Sequence, residues 1–417
     1  MSIRRLLAGL LITTVLAFPG LATAGPSEGD AARIQANLNY AGPLPASTSR
    51  IKLENLVGHL SVTQGSSFRV TATVVAGGSN QADAQALAQS VHFDTSQSGN
   101  EFTLHVHYPV DRYTSYSYPE RSDNGNKNYC FVGIFCVDAS GSSLSYQDTD
   151  VRVYRSGRRG VPLHVDVAVQ LPAGMSMSLV NYVGLAEASG IHNDLRIKTS
   201  SGNVQVSKMQ GRLSADTGSG DVHVADLTGN LSVDTGSGDV FAERLRGNLH
   251  ADTGSGDVHV SDSQGQTLYA DTGSGDVLLS EVKGDMKFDT GSGDVKLEGG
   301  KGSLHADTGS GDVIARNYAA GSSVWADTGS GEVSLFGDLS AVHNLYIDTG
   351  SGDATIKTST GLSMHLDAHS DSGDVNINLP EMHNVVMHRG KFVADFGKAE
   401  GQGTISTGSG DINVTRG

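Results

Sequence analysis

Apolar and polar residues alternate in short segments through the second half of the chain, and these segments recur at a regular spacing. Leu213 and Ala215 flank an outward residue before one copy of the sequence Asp-Thr-Gly-Ser-Gly, and Val222 and Val224 do the same after it. Alternation with period two predicts strands with one buried face. Glycine tolerates the positive φ of a sharp corner, so each Thr-Gly-Ser-Gly predicts a turn between two such strands.

The sequence Asp-Thr-Gly-Ser-Gly occurs eight times, at intervals of 18 to 21 residues. A period near 20 residues is typical of a solenoid. One coil cannot bury its own Leu, Ala and Val residues, whereas coils stacked about 4.8 Å apart bury them and pair the backbone groups. The predicted fold is therefore all-β: a parallel β-helix (β-solenoid) with 18–21-residue coils. The crossover rule for parallel strands favours a right-handed coil.

Residues 1–24 have the pattern of a secretory signal peptide. Arg4 and Arg5 begin it, an apolar run follows, and an Ala-x-Ala sequence ends it before Gly25. The apolar run from Leu6 to Phe18 is shorter than the about 20 residues that cross a bilayer. We therefore expect cleavage of the signal, no transmembrane segment afterwards, and export to the periplasm or the cell surface of a bacterium.

The rest of the chain is predicted to have three parts. Residues 25–47, rich in Gly, Pro, Ala and Ser, are interpreted as a linker. Residues 48–160 are a less regular β-rich part, with a helix at Asn80–Gln89 and a Tyr-rich insertion at about 108–159. Residues 161–417 hold the β-helix repeats.

The insertion contains both cysteines of the chain, Cys130 and Cys136. In an exported protein, two cysteines this close in sequence are expected to form a disulfide. Such a short closed loop adds about 2 kcal/mol of stability in the chain-entropy model and holds the insertion in place. The alternative is that the loop presents Phe131, Ile134 and Phe135 as an apolar knob for a partner.

Four turn motifs together resemble one known family. They are Asn-x-x-Gly-x-Leu-x-Val at Asn55–Val62, Leu-Pro-Ala-Gly at Leu171–Gly174, and the Ser-Gly-Asn-Val and Gly-Ser-Gly-Asp-Val turns of the repeats. This pattern resembles the DUF4097 family of proposed bacterial adhesins over roughly residues 48–417, apart from the insertion. The resemblance implies an exported, repeat-built β-helix in the cell envelope, and it supplies no catalytic residues.

Two carboxylates accompany each turn, and they form two predicted columns when the coils stack in register. The first column includes Asp216, Asp234, Asp252, Asp271, Asp289 and Asp307, and the second includes Asp221, Asp239, Asp257, Asp276, Asp294 and Asp312. Charges about 4.8 Å apart repel by about 0.9 kcal/mol even in water. Hydrogen bonds from the N–H groups of the same turn would offset this repulsion as in an Asx turn. The alternative is bound Ca²⁺, and no other cofactor is expected.

Outward strand positions do not pack in the core, so they are candidates for binding. The residue between Leu and the following inward residue of each repeat is aromatic at Tyr269, Trp325 and Tyr346. Aromatic side chains on a flat β surface stack against sugars or hold a protein partner. The alternative is that such residues simply suit exposed strand positions. The chain has 45 acidic against 29 basic residues, so a nucleic-acid partner is not expected.

The predicted function is therefore non-enzymatic: an adhesin-like, rod-shaped protein that binds a glycan or protein of the envelope or surface. Aspartic proteases also have Asp-Thr-Gly-Ser, but they need two such side chains sharing a proton rather than eight tandem turns. A polysaccharide-cleaving β-helix enzyme is the alternative, although it needs a unique, asymmetric cluster of acids and bases. A periplasmic structural scaffold is the third hypothesis. The final coil at Asp411–Val414 has no evident cap, so pairing of β-helix ends into oligomers is also expected.

Overall fold

The computed structural model describes residues 32–118, 142–154 and 159–417. Contacts divide the chain into two compact units. Unit 1 comprises the described residues up to Gly211 together with Ala215–Gly220, and unit 2 comprises Arg212–Ser214 and Asp221–Gly417. The predicted signal peptide and the predicted disulfide between Cys130 and Cys136 lie outside the described residues, so both stay predictions.

The elements of unit 1 are mostly strands. They are β1 (Ala32–Tyr40), β2 (Arg50–Val57), β3 (Leu60–Gln64), β4 (Arg69–Gly78), α1 (Gln81–Gln89), β5 (His92–Ser98), β6 (Glu101–His107), β7 (Ser115–Ser117), β8 (Ser142–Tyr146), β9 (Thr149–Tyr154), β10 (Val161–Leu171), β11 (Ser176–Val183), β12 (Ala186–Ser189), β13 (Leu195–Ser201) and β14 (Val204–Gln210). The next strand, β15 (Leu213–Thr217), has residues in both units.

The core of unit 1 is a stack of parallel strands on two faces. On one face β2 lies between β6 and β11, and β11 continues to β13. On the other face β3 lies between β10 and β12, and β12 continues to β14. Antiparallel strands complete each face, with β5 on β6, and with β4 on β10 and β1 on β4. Strands from both sides of residue 160 therefore pair within one stack.

Part of the predicted linker is a strand, which corrects the sequence interpretation. β1 pairs antiparallel with β4 along its whole length. Its residues alternate between half-buried and exposed, and Tyr40 packs against Phe68 and Phe102 at ring-centroid distances of 5.9 and 5.6 Å. The alternation at Ile34 and Leu38 was a signal for this strand, but the Gly and Pro residues on both sides obscured it.

The predicted helix is confirmed as α1. Asn80 caps it, because its side-chain oxygen accepts a hydrogen bond of 2.9 Å from the backbone N–H of Asp83. Ala84, Leu87 and Ala88 form the buried side of the helix. Across the described ranges, no helix has the length and apolar character needed to cross a membrane.

The described part of the Tyr-rich insertion is more regular than the sequence indicated. It contains β7, β8 and β9, and β9 pairs with both of the others. Tyr108, Tyr116 and Tyr146 are completely buried and meet edge-to-face at 5.6 and 5.9 Å. The hydroxyl of Tyr108 donates to the carbonyl of Val57 (2.8 Å) and to Asn55 Oδ1 (3.1 Å). Tyr108 and Tyr146 therefore pack in the core with their hydroxyls bonded to the carbonyls of Val57 and Val106. The buried hydroxyl of Tyr116 has no hydrogen-bond partner among the described residues.

The strands of unit 2 follow the repeats. They are β16 (Val222–Thr228), β17 (Leu231–Thr235), β18 (Val240–Glu243), β19 (Leu249–Thr253), β20 (Val258–Ser261), β21 (Gln264–Thr272), β22 (Val277–Thr290), β23 (Val295–Thr308), β24 (Val313–Thr328), β25 (Val333–Asp338), β26 (Asn344–Thr349), β27 (Ala354–Thr358), β28 (Met364–Ser370), β29 (Val375–Asn378), β30 (Met382–His388), β31 (Lys391–Phe396), β32 (Gly401–Thr407) and β33 (Ile412–Arg416).

Each regular coil of unit 2 contributes one segment to each of two parallel faces. The segments that end in Asp-Thr form the first face, from β17 through β19, β21 and the second halves of β22, β23 and β24 to β26. The segments that begin with the apolar residue after the turn form the second face, from β16 through β18 and β20 to β25 and β27. Inward Leu, Val and Ala residues are buried throughout. The predicted β-solenoid is confirmed; its right-handedness stays a prediction.

The last coil of the sequence is not the last coil of the stack. β32 lies between β26 and β28, and β33 lies between β27 and β29. β31 then pairs antiparallel with β28, and β30 with β31. The expectation of an uncapped final coil at Asp411–Val414 is therefore wrong, because the chain forms an antiparallel hairpin beyond β28 and returns to fill the position between two earlier coils.

Candidate functional site

The outward residues of the first face of unit 2 form one continuous column, here called the aromatic column. Each member lies opposite the next in the strand register, and the members are His250, Tyr269, Lys287, His305, Trp325 and Tyr346. They point outward because their chain neighbours, such as Leu304 and Ala306, fill the core.

Three rings at one end of the column form a parallel stack, the Trp325 stack. The ring centroids of His305 and Trp325 are 4.0 Å apart, and those of Trp325 and Tyr346 are 5.6 Å apart. All three side chains are half-buried. Burial, followed by the charge of Lys287, lowers the pKa of His305, so a neutral imidazole stacks on the indole at neutral pH.

Tyr269, the third predicted ligand residue, belongs to a different stack. Its ring lies 4.7 Å from that of His250, and Lys287 Nζ lies 5.6 Å above its centroid. Lys287 and His305 separate it from Trp325 in the register. The structure therefore brings Trp325 and Tyr346 together and places Tyr269 three coils away.

Hydrogen-bonding groups border the aromatic column on both sides. Two residues after each member comes an Asp of the first carboxylate column, and Tyr269 and Tyr346 donate their hydroxyls to Asp271 (3.0 Å) and Asp348 (3.2 Å). Two residues before the members from Tyr269 onward come Thr267, Asp285, Ser303, Ser323 and Asn344. A strip of flat rings thus lies between two strips of polar groups.

A shallow cavity of about 620 Å³ adjoins the other end of the column. Its lining residues are mostly amides, cations and glycines of the corner that precedes the first-face strands, among them Arg246, Asn248, Gln266 and Lys283. Asn248 Oδ1 accepts from the backbone N–H of Gln266 at 3.0 Å, which orders the amide. The two cations that line the cavity, Arg246 and Lys283, lie four residues before His250 and Lys287 in the sequence.

The first carboxylate column has the repulsion that the sequence predicted. Asp289 lies in register between Asp271 and Asp307, and Asp327 lies between Asp307 and Asp348. Burial and then these like-charged neighbours raise the pKa of Asp289 and of Asp327. Asp216, in unit 1, instead pairs with Lys198 at 2.9 Å.

The second column is held by hydrogen bonds between coils rather than within one turn, which corrects the Asx-turn expectation. The backbone N–H of Asp294 donates to Asp276 Oδ1, and that of Asp312 donates to Asp294 Oδ1, both at 2.8 Å. The same bond recurs at Asp239, Asp257, Asp276, Glu332, Asp374 and Asp411. Each carboxylate that accepts such a bond is therefore stabilised by the coil stacked on it, and these acceptors are Asp221, Asp239, Asp257, Asp276, Asp294, Asp312, Asp353 and Asp411. Calcium binding by either column stays a prediction.

These two environments predict opposite effects of neutralising one carboxylate. Because the pKa of Asp289 is raised, the folded state binds a proton at this carboxylate more readily than the unfolded state does. The contribution of Asp289 to stability therefore falls as the pH rises from the ordinary pKa of an aspartate to the raised pKa. Asp289→Asn should therefore raise the urea midpoint at pH 7 and have little effect at pH 3. Asp294 has a lowered pKa, because its bonds to Lys296 and the Asp312 N–H outweigh burial. Asp294→Asn should lower the midpoint at pH 7, and equal signs for both variants would contradict this assignment.

Sequence reasoning missed the buried threonine of each repeat. Thr290 Oγ1 donates to the carbonyl of Gly275 in the preceding coil (2.9 Å) and accepts from the N–H of Gly293 in its own turn (3.0 Å). The same pair of bonds recurs at Thr253, Thr272, Thr308 and Thr328. The invariance of Thr in all eight copies was the signal, since an exposed turn position does not require one residue type.

The second face has a ring stack of its own. Phe241 lies between His223 and His259, with centroid distances of 4.4 and 4.8 Å. The carboxylates closest to these rings in the sequence belong to the second column: Asp221, Asp239 and Asp257 each lie two residues before a member of the stack. This stack resembles the Trp325 stack in ring geometry and provides a matched control for it.

The repeats identify the family. The model of Toastrack DUF4097 matches residues 166–247, 230–340 and 337–415, which together are more than half of the chain. The chain belongs to the Toastrack DUF4097 family. The resemblance stated from the turn motifs is confirmed for this part of the chain, and the matched ranges of the Toastrack DUF4097 protein include the whole aromatic column.

Two solved structures are similar to this Toastrack DUF4097 chain at low identity. A proposed cell adhesion protein from Clostridium sporogenes ATCC 15579 is 10% identical, with 92% of this chain and 100% of that one covered and a TM-score of 0.18. A proposed adhesin from Bacteroides fragilis NCTC 9343 is 12% identical, with 72% and 96% covered and a TM-score of 0.31. No curated protein matches the sequence. Likenesses this distant carry no argument about a ligand.

Proposed function

We propose that this Toastrack DUF4097 protein is an exported, non-enzymatic binding protein of the bacterial envelope or cell surface, adhesin-like in role, and that the Trp325 stack binds a glycan. The observation that carries the proposal is the position of Trp325 between His305 and Tyr346, at 4.0 and 5.6 Å. Large half-buried rings on an outward strand position leave apolar surface in contact with water unless a ligand covers it.

The borders of the column favour a glycan over a protein as that ligand. A sugar ring has an apolar face that packs on an aromatic ring and hydroxyls around its edge that need donors and acceptors. Asp327 and Asp348 lie on one side of the stack as acceptors, and Ser323 and Asn344 lie on the other. The repeat spacing of about 4.8 Å between coils lets successive sugars of a linear chain meet successive side chains.

The two alternative functions lack such a specific observation. A polysaccharide-cleaving enzyme needs one asymmetric cluster of an acid and a base, whereas the carboxylates of the second column repeat the same inter-coil hydrogen bond from coil to coil. A structural scaffold needs no aromatic column bordered by polar groups. A protein partner would use the same surface, and the binding assay below separates it from a glycan.

The proposal predicts that binding depends on the Trp325 stack. The purified protein should bind one class of oligosaccharide on an array of envelope and host-cell glycans. Trp325→Ala should weaken that binding at least about tenfold, because a stacked aromatic anchor contributes about 1.4 kcal/mol or more. Phe241→Ala, which removes the central ring of the second-face stack, should leave the affinity unchanged, and thermal unfolding should confirm that both variants are folded.

Three outcomes would overturn the proposal. One is equal affinity of Trp325→Ala and the parent protein for the bound glycan. Another is binding to envelope proteins alone, with no glycan retained. The third is release of reducing sugar or unsaturated uronate by the purified protein, which would establish the enzyme. Export is tested separately: antibody should label tagged protein on intact cells if it lies on the surface, and only after permeabilisation if it lies in the periplasm.

A further inference from the structure

Two histidines and an aspartate lie together on the β5–β6 hairpin of unit 1, away from the aromatic column. His92 is directly opposite His107 in the antiparallel register, and Asp94 is two residues from His92 on the same side of the strand. The imidazole rings stack at 4.3 Å. Asp94 Oδ1 lies 3.4 Å from His92 Nε2, and Asp94 Oδ2 lies 3.1 Å from His107 Nδ1.

Each of the two distances from an imidazole nitrogen to an oxygen of Asp94 is close to the separation of two ligand atoms around one metal ion. Zinc holds nitrogen and oxygen ligands at about 2.0–2.2 Å in a tetrahedron, which places neighbouring donor atoms about 3.3 Å apart. The three donor atoms of His92, Asp94 and His107 all lie within 4.8 Å of one another, and in the described part of the chain this is the group with that property. Neither carboxylate column of unit 2 has it.

The surroundings of His92 indicate what its second nitrogen needs. Nδ1 lies 3.3 Å from the carbonyl oxygen of Ser90, and Nε2 faces the carboxylate of Asp94. Both neighbours are acceptors, so a neutral imidazole leaves one nitrogen lone pair directed at an oxygen. Either a second proton or a cation at Nε2 removes this conflict. An N–H from Nδ1 to a backbone carbonyl is the outer hydrogen bond that metal-bound histidines usually make.

The charged residues beside the His92–Asp94–His107 cluster contact one another rather than the cluster. His105 lies opposite Asp94 in the register, but its Nδ1 contacts Glu54 Oε2 at 2.7 Å. The other oxygen of Glu54 contacts Lys52. Burial opposes ionisation of Glu54, yet the bonds from His105 and Lys52 outweigh it and lower its pKa to about 2. Glu54 and His105 therefore form a network of their own beside the cluster.

We propose that His92, Asp94 and His107 bind a divalent transition-metal ion of the zinc type. Two imidazoles and one carboxylate suit Zn²⁺ better than Ca²⁺, which prefers six to eight oxygen ligands. The three side chains are 43%, 53% and 32% exposed, so an ion enters from solvent and keeps a coordination position open. That position would take water or a donor atom of an external ligand.

Titration calorimetry with zinc chloride tests the site directly on untagged, chelator-treated protein without its signal peptide. The parent protein should bind one Zn²⁺ at this site and gain thermal stability when zinc is added. His107→Ala, His92→Ala and Asp94→Asn should each weaken zinc binding by at least about 10–100-fold. That is the loss of affinity found when only the hydrogen-bond partner of a metal ligand is removed, and these variants remove the ligand itself. His59→Ala should bind zinc as the parent does, since it removes a histidine of the same unit that pairs with Glu187 at 3.2 Å.

A second readout keeps the proposal testable if a variant folds poorly. Co²⁺ bound in place of zinc should give visible absorption bands of a low-coordinate site in the parent protein and in His59→Ala. The absence of a stoichiometric Zn²⁺ or Co²⁺ site in the parent protein would overturn the proposal. So would binding of equal strength in the three folded ligand variants, because the metal would then be held by others of the 15 histidines in the sequence.

Discussion

Gly293→Ala adds one methyl group and should strongly destabilise the coil stack of unit 2. A Cβ at this position would lie 1.9 Å from the carbonyl oxygen of Gly275 and 2.4 Å from its carbonyl carbon. Ordinary contacts between carbon and oxygen are about 3.3 Å or longer. Both atoms belong to the backbone of the preceding coil, so no side chain can move aside. We expect a loss of at least about 4 kcal/mol in the free energy of unfolding.

The loss should be measured by urea unfolding, with Gly361→Ala as the matched control. A Cβ at Gly361 meets no atom within 4 Å, so this variant of the same unit should keep the parent midpoint. Separation of the coils at Gly293 also stretches the bond from the Asp294 N–H to Asp276 Oδ1. Stability of Gly293→Ala equal to that of Gly361→Ala would show that the coils do not approach each other this closely.

Thr290→Val should have the second largest effect. The side chain is 1% exposed, and valine keeps its shape while removing the hydroxyl. The carbonyl of Gly275 then loses a donor and the N–H of Gly293 loses an acceptor, both inside the stack. A buried group left without its partner costs about 1–3 kcal/mol, so the two together should cost about 2–4 kcal/mol.

Thr267→Val is the matched control for this hydroxyl. Thr267 is exposed on the first face of the adjacent coil, where it lies opposite Asp285, so the change should stay within about 0.5 kcal/mol of the parent. Thermal unfolding of the two variants side by side gives the comparison. An unchanged melting temperature for Thr290→Val would mean that the threonine ladder does not stabilise the coils.

The fold was accessible from the sequence because its signal repeats. Alternation around each Asp-Thr-Gly-Ser-Gly indicated the strands, and the near-constant interval indicated stacking, which the structure confirms in the register of Asp271 with Asp289 and Asp307. The C-terminal order was not accessible in this way. Nothing local distinguishes the coil that contains Ile412 from one at the end of the stack, since its neighbours are set by the path of the hairpin at 382–396.

The candidate site was predicted in part. The outward positions of Trp325 and Tyr346 follow from the alternation of apolar and polar residues. Superposing the repeats in the sequence then places the two residues opposite each other, as the strand register shows. Whether a hydrogen bond comes from the same turn or from the next coil is a question of three-dimensional stacking, so the environment of Asp294 was misjudged. The His92–Asp94–His107 cluster combines residues of two strands outside the repeats, where no period aligns them.

Intrinsic fluorescence offers the most direct test of the central claim, because Trp325 is the single tryptophan of the sequence. The protein would be titrated with the oligosaccharide retained on the glycan array, and its emission would be compared with the affinity from calorimetry. A glycan that covers the Trp325 stack should change the emission saturably, with the same dissociation constant as calorimetry gives. A glycan that binds by calorimetry and leaves the emission of Trp325 unchanged would show that the ligand site lies elsewhere.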